Sequence, residues 1–377
     1  VTGGLTVLTL NCGSSSLKFA LLRRRGATFE RLVEGEAEEI GGAEGRLTLA
    51  LYGRPQTRQD VAFPDHEAAT QAVFAALAAG DSPPPQAIGH RIVHGGPSVR
   101  RHGLIDAGML RALEAAAPLA PLHVPPALAV VKAARAHFKD LPQVACLDTA
   151  FHRTLPEAAR RFPLGPQFAA QGIERYGFHG LSCESILHQL GDETPERLVI
   201  AHLGGGSSVT AVRAGRSIDT SMGLTPAGGV MMATRSGDLD PGLMIYLIRE
   251  AGMDASALET LLDRHAGMKA VSALSGDLRQ LRAAPENPQA QLAIQMFSYA
   301  VRKQIAAMSA ALEGLDMLVF TGGIGQNDAG IRADVCAGLA WTGFSQSRVR
   351  VFAADEEQQI ARITETCLAG PETRQPG

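Results

Sequence analysis

One local pattern occurs twice in this chain and constrains its fold more than any other feature. Near the start, Thr6-Val-Leu-Thr-Leu10 reads as a short strand that breaks at Asn11-Cys-Gly-Ser-Ser-Ser16 and resumes as Leu17-Lys-Phe-Ala-Leu-Leu22. Far downstream, the strand Leu198-Val-Ile-Ala-His-Leu203 breaks at Gly204-Gly-Gly-Ser-Ser208 and returns as Val209-Thr-Ala-Val-Arg213. Each is a hairpin with a small Gly/Ser-rich bend. Their recurrence at the head of each half of the chain predicts an internal duplication.

Both halves continue with alternating strands and helices. Glu67 to Ala79 reads as a helix with Val73, Phe74 and Leu77 on one face, ended by Gly80 and kept from continuing by Pro83-Pro-Pro85. Ala87 to Val93 and Gln143 to Leu147 read as buried strands. In the second half, Ile294, Phe297, Val301, Ile305, Met308 and Leu312 recur at helical spacing, and Gly314 closes that helix. Met317-Leu-Val-Phe320 then forms a strand running into a glycine-dense loop, Gly322-Gly-Ile-Gly-Gln-Asn327. The alternation predicts an α/β chain with helix-covered sheets. With 377 residues there is room for about two domains. The boundary is expected at 148–155, giving domains 1–150 and 151–356, with a closing helix over 357–377 packed back on the first.

Composition removes several function classes. The formal net charge of −3 gives no reason to expect nucleic acid or an anionic membrane as partner. The five cysteines, at 12, 146, 183, 336 and 367, have no metal-site spacing and an odd count, which points to free thiols in a reducing cytoplasm. No secretion signal and no run near the roughly 20 apolar residues of a membrane span is evident. The expectation is a soluble, cytoplasmic protein.

Several polar residues sit beside glycines. A Gly/Ser bend can present backbone N–H groups and hydroxyls to an anion, and Lys18 adds a cation just past the first one. A P-loop pattern is absent, so a nucleotide would need another architecture. His90 and His94 are four apart, but on a strand at ~3.3 Å per residue they stand roughly 13 Å apart, too far for one metal. Arg91, on the same strand, has the fork to hold a carboxylate or phosphate, or else an ion-pair partner. Arg235 ends the apolar stretch Met231-Met-Ala-Thr, and His179 lies between glycines in Tyr176-Gly-Phe-His-Gly180. Asp148 follows a strand directly, where open α/β sheets collect ligand groups. With Glu356 it could hold Mg2+, which takes only one or two carboxylates. Taken alone, Glu356-Glu357 reads as a solvated helix start.

Together these segments closely resemble the acetate kinase family. The match runs in order through Asn11 to Phe19, Gly89-His-Arg-Ile-Val-His-Gly-Gly96, Ala120-Pro-Leu-His123, Asp148-Thr-Ala-Phe-His152 and Tyr176 to Gly180. It continues through Ala201-His-Leu203, Thr220-Ser-Met-Gly-Leu-Thr-Pro226, Gly237-Asp-Leu-Asp-Pro241, Phe320 to Gly325 and Asp355-Glu-Glu357. The resemblance implies the fold of actin, sugar kinases and Hsp70 ATPases: duplicated RNase H-like domains with an active-site cleft between them. It implies reversible transfer of the ATP γ-phosphoryl group to acetate, yielding acetyl phosphate and ADP, with Mg2+ (or Mn2+ in its place) and a homodimer joined through the second domain.

By the same resemblance, His202, Leu203, Gly204, Gly205 and Gly206 would contact the ATP phosphates, with Ser14, Ser16 and Lys18 facing them. Asp277, Leu278 and Arg279 would hold the adenosine with Gly323, Ile324, Gly325, Gln326 and Asn327. Asn11, Asp148 and Glu356 would surround the metal. Arg91 would orient the substrate carboxylate, and Val93, Leu122, Phe178 and Pro226 would surround its methyl group. Arg91, Arg235 and His179 would neutralise the moving phosphoryl oxygens, each contact contributing about 3 to 4 kcal/mol. Asp148 is expected to hold Mg2+ or Arg91 rather than act as a base, because acetate is already ionised near neutrality.

The sequence departs from the family pattern at Gly205 and Val124, where Asn is usual, at Cys183 (His) and at Gln326 (Glu). The Gly205 change removes an amide near the phosphates and bears on donor choice. Propionate or butyrate kinase is the nearest rival, since one methylene in an apolar pocket is worth only ~1 to 3 kcal/mol. A pyrophosphate donor and a filament-type ATPase indifferent to acetate are the others.

Overall fold

The computed structural model describes residues 4–80, 82–345 and 348–370. The chain divides into two compact units, one running to Ala150 and resuming at Asp355, the other spanning Phe151–Ala354. The return to the first unit thus comes slightly ahead of the expected Glu357.

The first unit holds β1 (Thr6–Cys12), β2 (Ser16–Arg25), β3 (Thr28–Glu38), β4 (Arg46–Leu51), β5 (Thr57–Asp60), β6 (Ala87–Ile92), β7 (Gly103–Leu104) and β8 (Gln143–Leu147). Their order in one sheet is β5-β4-β3-β2-β1-β6-β8-β7. The second unit holds β9 (Arg197–Leu203), β10 (Ser207–Arg213), β11 (Arg216–Thr220), β12 (Met317–Thr321) and β13 (Val349–Val351), ordered β11-β10-β9-β12-β13. The duplication is visible in register. In each sheet the first hairpin strand pairs antiparallel with the second and parallel with a later strand, β1 with β6 and β9 with β12. A further parallel strand follows, β8 in one sheet and β13 in the other.

β1 is buried along its whole length, so its apolar run faces packing on both sides. Side chains alternate along a strand, which puts Val7, Thr9 and Asn11 on one face. Val7 packs there with Ala20, Leu22 and Ala361, the last from the helix Glu356–Leu368. That helix starts where Asp355 accepts from the Gln358 N–H at 3.0 Å, and its first-turn glutamates suit the positive end of the helix dipole. It lies close on β6 because position 89 is glycine. A Cβ there would stand 2.4 Å from both Ile360 Cγ2 and Thr364 Oγ1. Residues 371–377, part of the expected closing helix, lie outside the described residues.

In the second unit the long helix is Pro288–Ala311, capped by Asn287, with Ile294, Phe297, Val301, Ile305 and Met308 buried at three- and four-residue spacing. Burying each such side chain contributes about 1.5 to 3 kcal/mol. The expected glycine loop after β12 is instead a short helix, Gly322–Asn327. Gly322 takes φ +76, and a Cβ on it would fall 2.5 Å from the Leu203 carbonyl oxygen, so glycine lets the chain turn sharply from strand to helix.

Candidate functional site

In the first unit, three strand ends and a helix start bring one polar network together. Arg91 Nε and Nη2 donate to Asp148 Oδ2 at 2.9 and 2.5 Å, and Nη1 donates to Asn11 Oδ1 at 3.2 Å. Asn11 Nδ2 donates in turn to Glu356 Oε2 at 2.9 Å and Glu357 Oε1 at 3.3 Å. Asp148 is fully buried, and its own N–H is fixed on the Ile92 carbonyl at 3.0 Å. Burial works against the Arg91 charge, but Asp148 and then Glu356 outweigh it, so its pKa lies above the ordinary arginine value. Burial, with Glu356 alongside, holds the Glu357 carboxyl above its usual range. The Glu356-Glu357 pair is therefore not a solvated helix start. It is half-buried and tied to β1 through Asn11.

Beside this network, the first bend is held by Gly13 N–H donating to Ser16 O (2.8 Å), by Ile40 N–H donating to Ser15 O (3.0 Å) and by His66 Nε2 donating to Gly13 O (3.0 Å). Ser14 and Lys18 are exposed and Ser16 is half-buried, with Lys18 registered opposite Asn11 and Glu36 across the sheet.

The second unit gathers a different set. The rings of His179 and His202 stack with centroids 4.3 Å apart and planes 20° off parallel. His179 Nδ1 is hydrogen-bonded to Ser208 Oγ at 3.0 Å, and His202 Nδ1 to Ser182 Oγ at 2.8 Å, which fixes both rings. A Cβ on Gly206 would lie 3.0 Å from His179 Nε2 and 3.5 Å from Arg235 Nη1. One on Gly204 would lie 3.7 Å from the Gly323 amide and 4.0 Å from His202 Nε2. The bend is thus bounded by one guanidinium, two imidazole edges and the backbone of the short helix. Arg235 is aimed by donation to the Pro226 carbonyl at 3.2 Å. Gly205 projects into open space.

Other expected site residues fall in less direct places. Leu203 and Leu278 are buried in the second unit's core, so any ligand contact from them is through backbone. Asp277 caps the helix Leu278–Arg282, and both its oxygens accept from Arg279, an exposed pair closed on itself. Gly323 and Asn327 are exposed, Ile324 and Gln326 half-buried and Gly325 buried. Of the residues expected around the methyl group, Val93 is buried and Leu122 half-buried in the first unit. In the second, Phe178 is buried and Pro226 half-buried. Among the departures, Cys183 packs in an apolar cluster with Ile186, Leu198 and Val319, and Val124 is buried at the start of the helix Val124–His137.

The histidine pair 90 and 94 serves the backbone and its neighbours. His90 Nε2 bonds Gln143 Oε1 at 2.8 Å, and His94 Nδ1 accepts from the Gly96 N–H at 2.8 Å. Burial pushes His90 down to about 4 and His152 down to about 3, so both are neutral at physiological pH. Sequence reasoning passed over Ser182, the hydrogen bond from Asn11 to Glu357 and the buried His66. Only Ser208 had a visible signal, in the serine pair closing the second bend.

The chain matches the family model described as the Acetokinase family over residues 6–367. It is 39% identical over 391 residues to an acetate kinase of Nitrobacter hamburgensis, covering 96% of each chain. It is 44% identical over 352 residues to one from Deinococcus deserti, covering 90% of this chain and 87% of the relative. Among solved structures, a propionate kinase from Francisella tularensis superposes with TM-score 0.90 at 34% identity, covering 96% of this chain and 99% of that one. The Porphyromonas gingivalis acetate kinase does so with TM-score 0.85 at 34% identity, covering 97% and 100%.

Proposed function

The chain belongs to the acetokinase family, and from that premise we propose that it catalyses Mg2+-dependent, reversible transfer of the γ-phosphoryl group of ATP to acetate by direct in-line displacement. The observation that carries this reading is the space at Gly206, where a side chain is missing between His179 Nε2 and Arg235 Nη1. It is a cradle for an oxyanion. A phosphoryl group in flight asks for positioning and charge neutralisation more than for covalent help, and fixed donors of this kind supply both.

The polypeptide's part divides by residue. The bend Gly204–Gly206 takes the phosphates with backbone N–H groups, and the stacked His202 holds His179 in orientation. Arg235 and His179 neutralise the equatorial oxygens. The exposed Asp277–Arg279 pair and the helix Gly322–Asn327 border the adenosine. Arg91 orients the acetate carboxylate and is itself held by Asp148 through Nε and Nη2. Val93, buried beside it in sequence, limits acyl length.

The donor set fits Mg2+. Asn11, Asp148 and Glu356 bring one amide and two carboxylates into one network, joined through Arg91. Among the described residues no three His, Cys, Asp or Glu side chains are gathered to hold a metal by themselves. Mg2+ is usually held by one or two carboxylates, with phosphate and water completing the shell. When bound, the ion would neutralise charge on the β- and γ-phosphate oxygens.

A homodimer through the second unit is supported by the helix Pro241–Arg249, which buries none of its residues and exposes Leu243, Ile245, Tyr246 and Ile248. Cytoplasmic placement is supported by five cysteines that form no disulfide, and no described helix is long and apolar enough to cross a membrane.

The test is Mg-ATP turnover with acetate, propionate, butyrate and no acid, trapping acyl phosphate as the hydroxamate. Turnover should require acid and fall from acetate through propionate to butyrate. ATP consumed equally without acid would overturn the reading, and turnover with pyrophosphate alone would reassign the donor.

A further inference from the structure

Glu356 reaches its place only because the chain returns to the first unit at Asp355, and two ion pairs tie that returning helix to the sheet. Arg31 of β3 donates from Nη2 to Asp355 Oδ1 at 2.8 Å, and from Nη1 to Glu34. The same Asp355 oxygen caps the helix by accepting from Gln358 N–H. Farther along, Arg24 of β2 pairs with Glu365 at 3.0 Å. The two ties are equally exposed, with side chains at 32% and 31% for Arg31 and Asp355, and 31% and 33% for Arg24 and Glu365. Each is a partly exposed ion pair with one further contact, Arg31 to Glu34 and Arg24 over the Phe29 ring. They differ in what stands next to them. Asp355 immediately precedes Glu356, whereas Glu365 lies more than two turns away from it.

We propose that Arg31 is a positioning residue for the metal-binding carboxylate: by fixing Asp355 it sets the first helical turn so that Glu356 meets Asn11 and the cation. The proposal rests on the assignment of Glu356 to the metal. Residues that orient metal ligands from behind carry much of a site's affinity. The sign of the effect separates position from charge. Arg31 is a cation, so deleting it would by simple electrostatics draw Mg2+ or Mn2+ in more tightly. A positioning role predicts the opposite.

The experiment titrates Mn2+ into the full-length protein with ADP present, following the free ion by electron paramagnetic resonance, with thermal unfolding measured in parallel. Arg31→Met should weaken Mn2+ binding about tenfold, the lower end for an orienting partner, and Arg31→Lys should restore most of it. Arg24→Met should lower the unfolding temperature while binding Mn2+ as the unaltered protein does. Arg31→Met binding Mn2+ normally or more tightly, or Arg24→Met weakening it equally, would leave Arg31 a structural tie only and overturn the proposal. Glu356→Gln should weaken binding further than Arg31→Met. If it binds Mn2+ normally, the metal assignment itself fails and this inference falls with it.

Discussion

The two hairpins are the same object topologically and different objects chemically. Both sit at the centre of a five-strand core with the same pairing directions. The first bend is serine-rich and borders a network of carboxylates around Arg91. The second is glycine-only at its tip and borders two stacked histidines and Arg235. The sheet pairing needs only the pattern of buried strand residues, which both copies keep. The tips of the bends, Ser14-Ser15 and Gly204–Gly206, are exposed or half-buried, so their residues are free to diverge. The copies therefore teach that the scaffold fixes where a ligand group can be placed, and the bend residues decide which charge it meets.

The two arginines should break apart under the same substitution. Arg91→Ala takes the guanidinium away from the buried Asp148, a change that costs about 3 to 5 kcal/mol of stability when a buried pair is broken, visible as a large fall in denaturant midpoint. Arg235→Ala loses, among its contacts, those to a carbonyl and a sulfur and the attraction of Asp263. It should lower kcat by about two to three decades, with a smaller change in the unfolding curve than Arg91→Ala gives. Equal stability loss in both would contradict the contrast.

Each unit also carries a buried histidine whose pKa burial lowers strongly, His90 in the first and His152 in the second. Their pKa values are lowered, so the unfolded chain binds protons that the native protein does not. Stability is complete above the unfolded value of about 6.5 and declines as pH falls toward about 4 for His90 and about 3 for His152. Going from pH 7 to pH 5 should cost roughly 2 kcal/mol per histidine, measured by denaturant unfolding at each pH. A flat profile over that range would refute the burial argument in both units.

Within the second bend, neighbouring glycines should respond unequally. Gly206→Ala puts a methyl against His179 and Arg235 and should reduce kcat/KM for ATP by about 10- to 100-fold, as small misplacements of catalytic groups do. Gly205→Ala meets nothing and should change it by less than about twofold, a surface-type substitution. The smallest effect is a gain. Gly205→Asn supplies an amide near the phosphates and should lower the KM for ATP about threefold, the worth of one modest hydrogen bond.

Strands, hairpins and the long helix were legible in the sequence because each announces itself locally, by burial pattern, bend residues or the spacing of Ile294, Phe297, Val301 and Ile305. The helix Gly322–Asn327 was not. Three glycines in six residues read as a loop, and only the close approach to Leu203 shows why glycine stands where the helix begins. At the site, Arg91 and Asp148 could be marked as an ion-pair candidate and a ligand because both end buried strands. The fixing of His179 by Ser208, and the pairing of Arg31 with Asp355 across 324 positions, depend on tertiary contact alone. No local pattern encodes them.

The division of labour between the units is tested most directly by calorimetric titration of ADP, without acetate, into Gly206→Ala and Arg91→Lys proteins. The account predicts that Gly206→Ala weakens ADP binding about tenfold, as loss of a close phosphate contact should. It predicts that Arg91→Lys binds ADP normally and shows its defect only as a raised KM for acetate. Normal ADP binding by Gly206→Ala, with the loss appearing in Arg91→Lys instead, would contradict it.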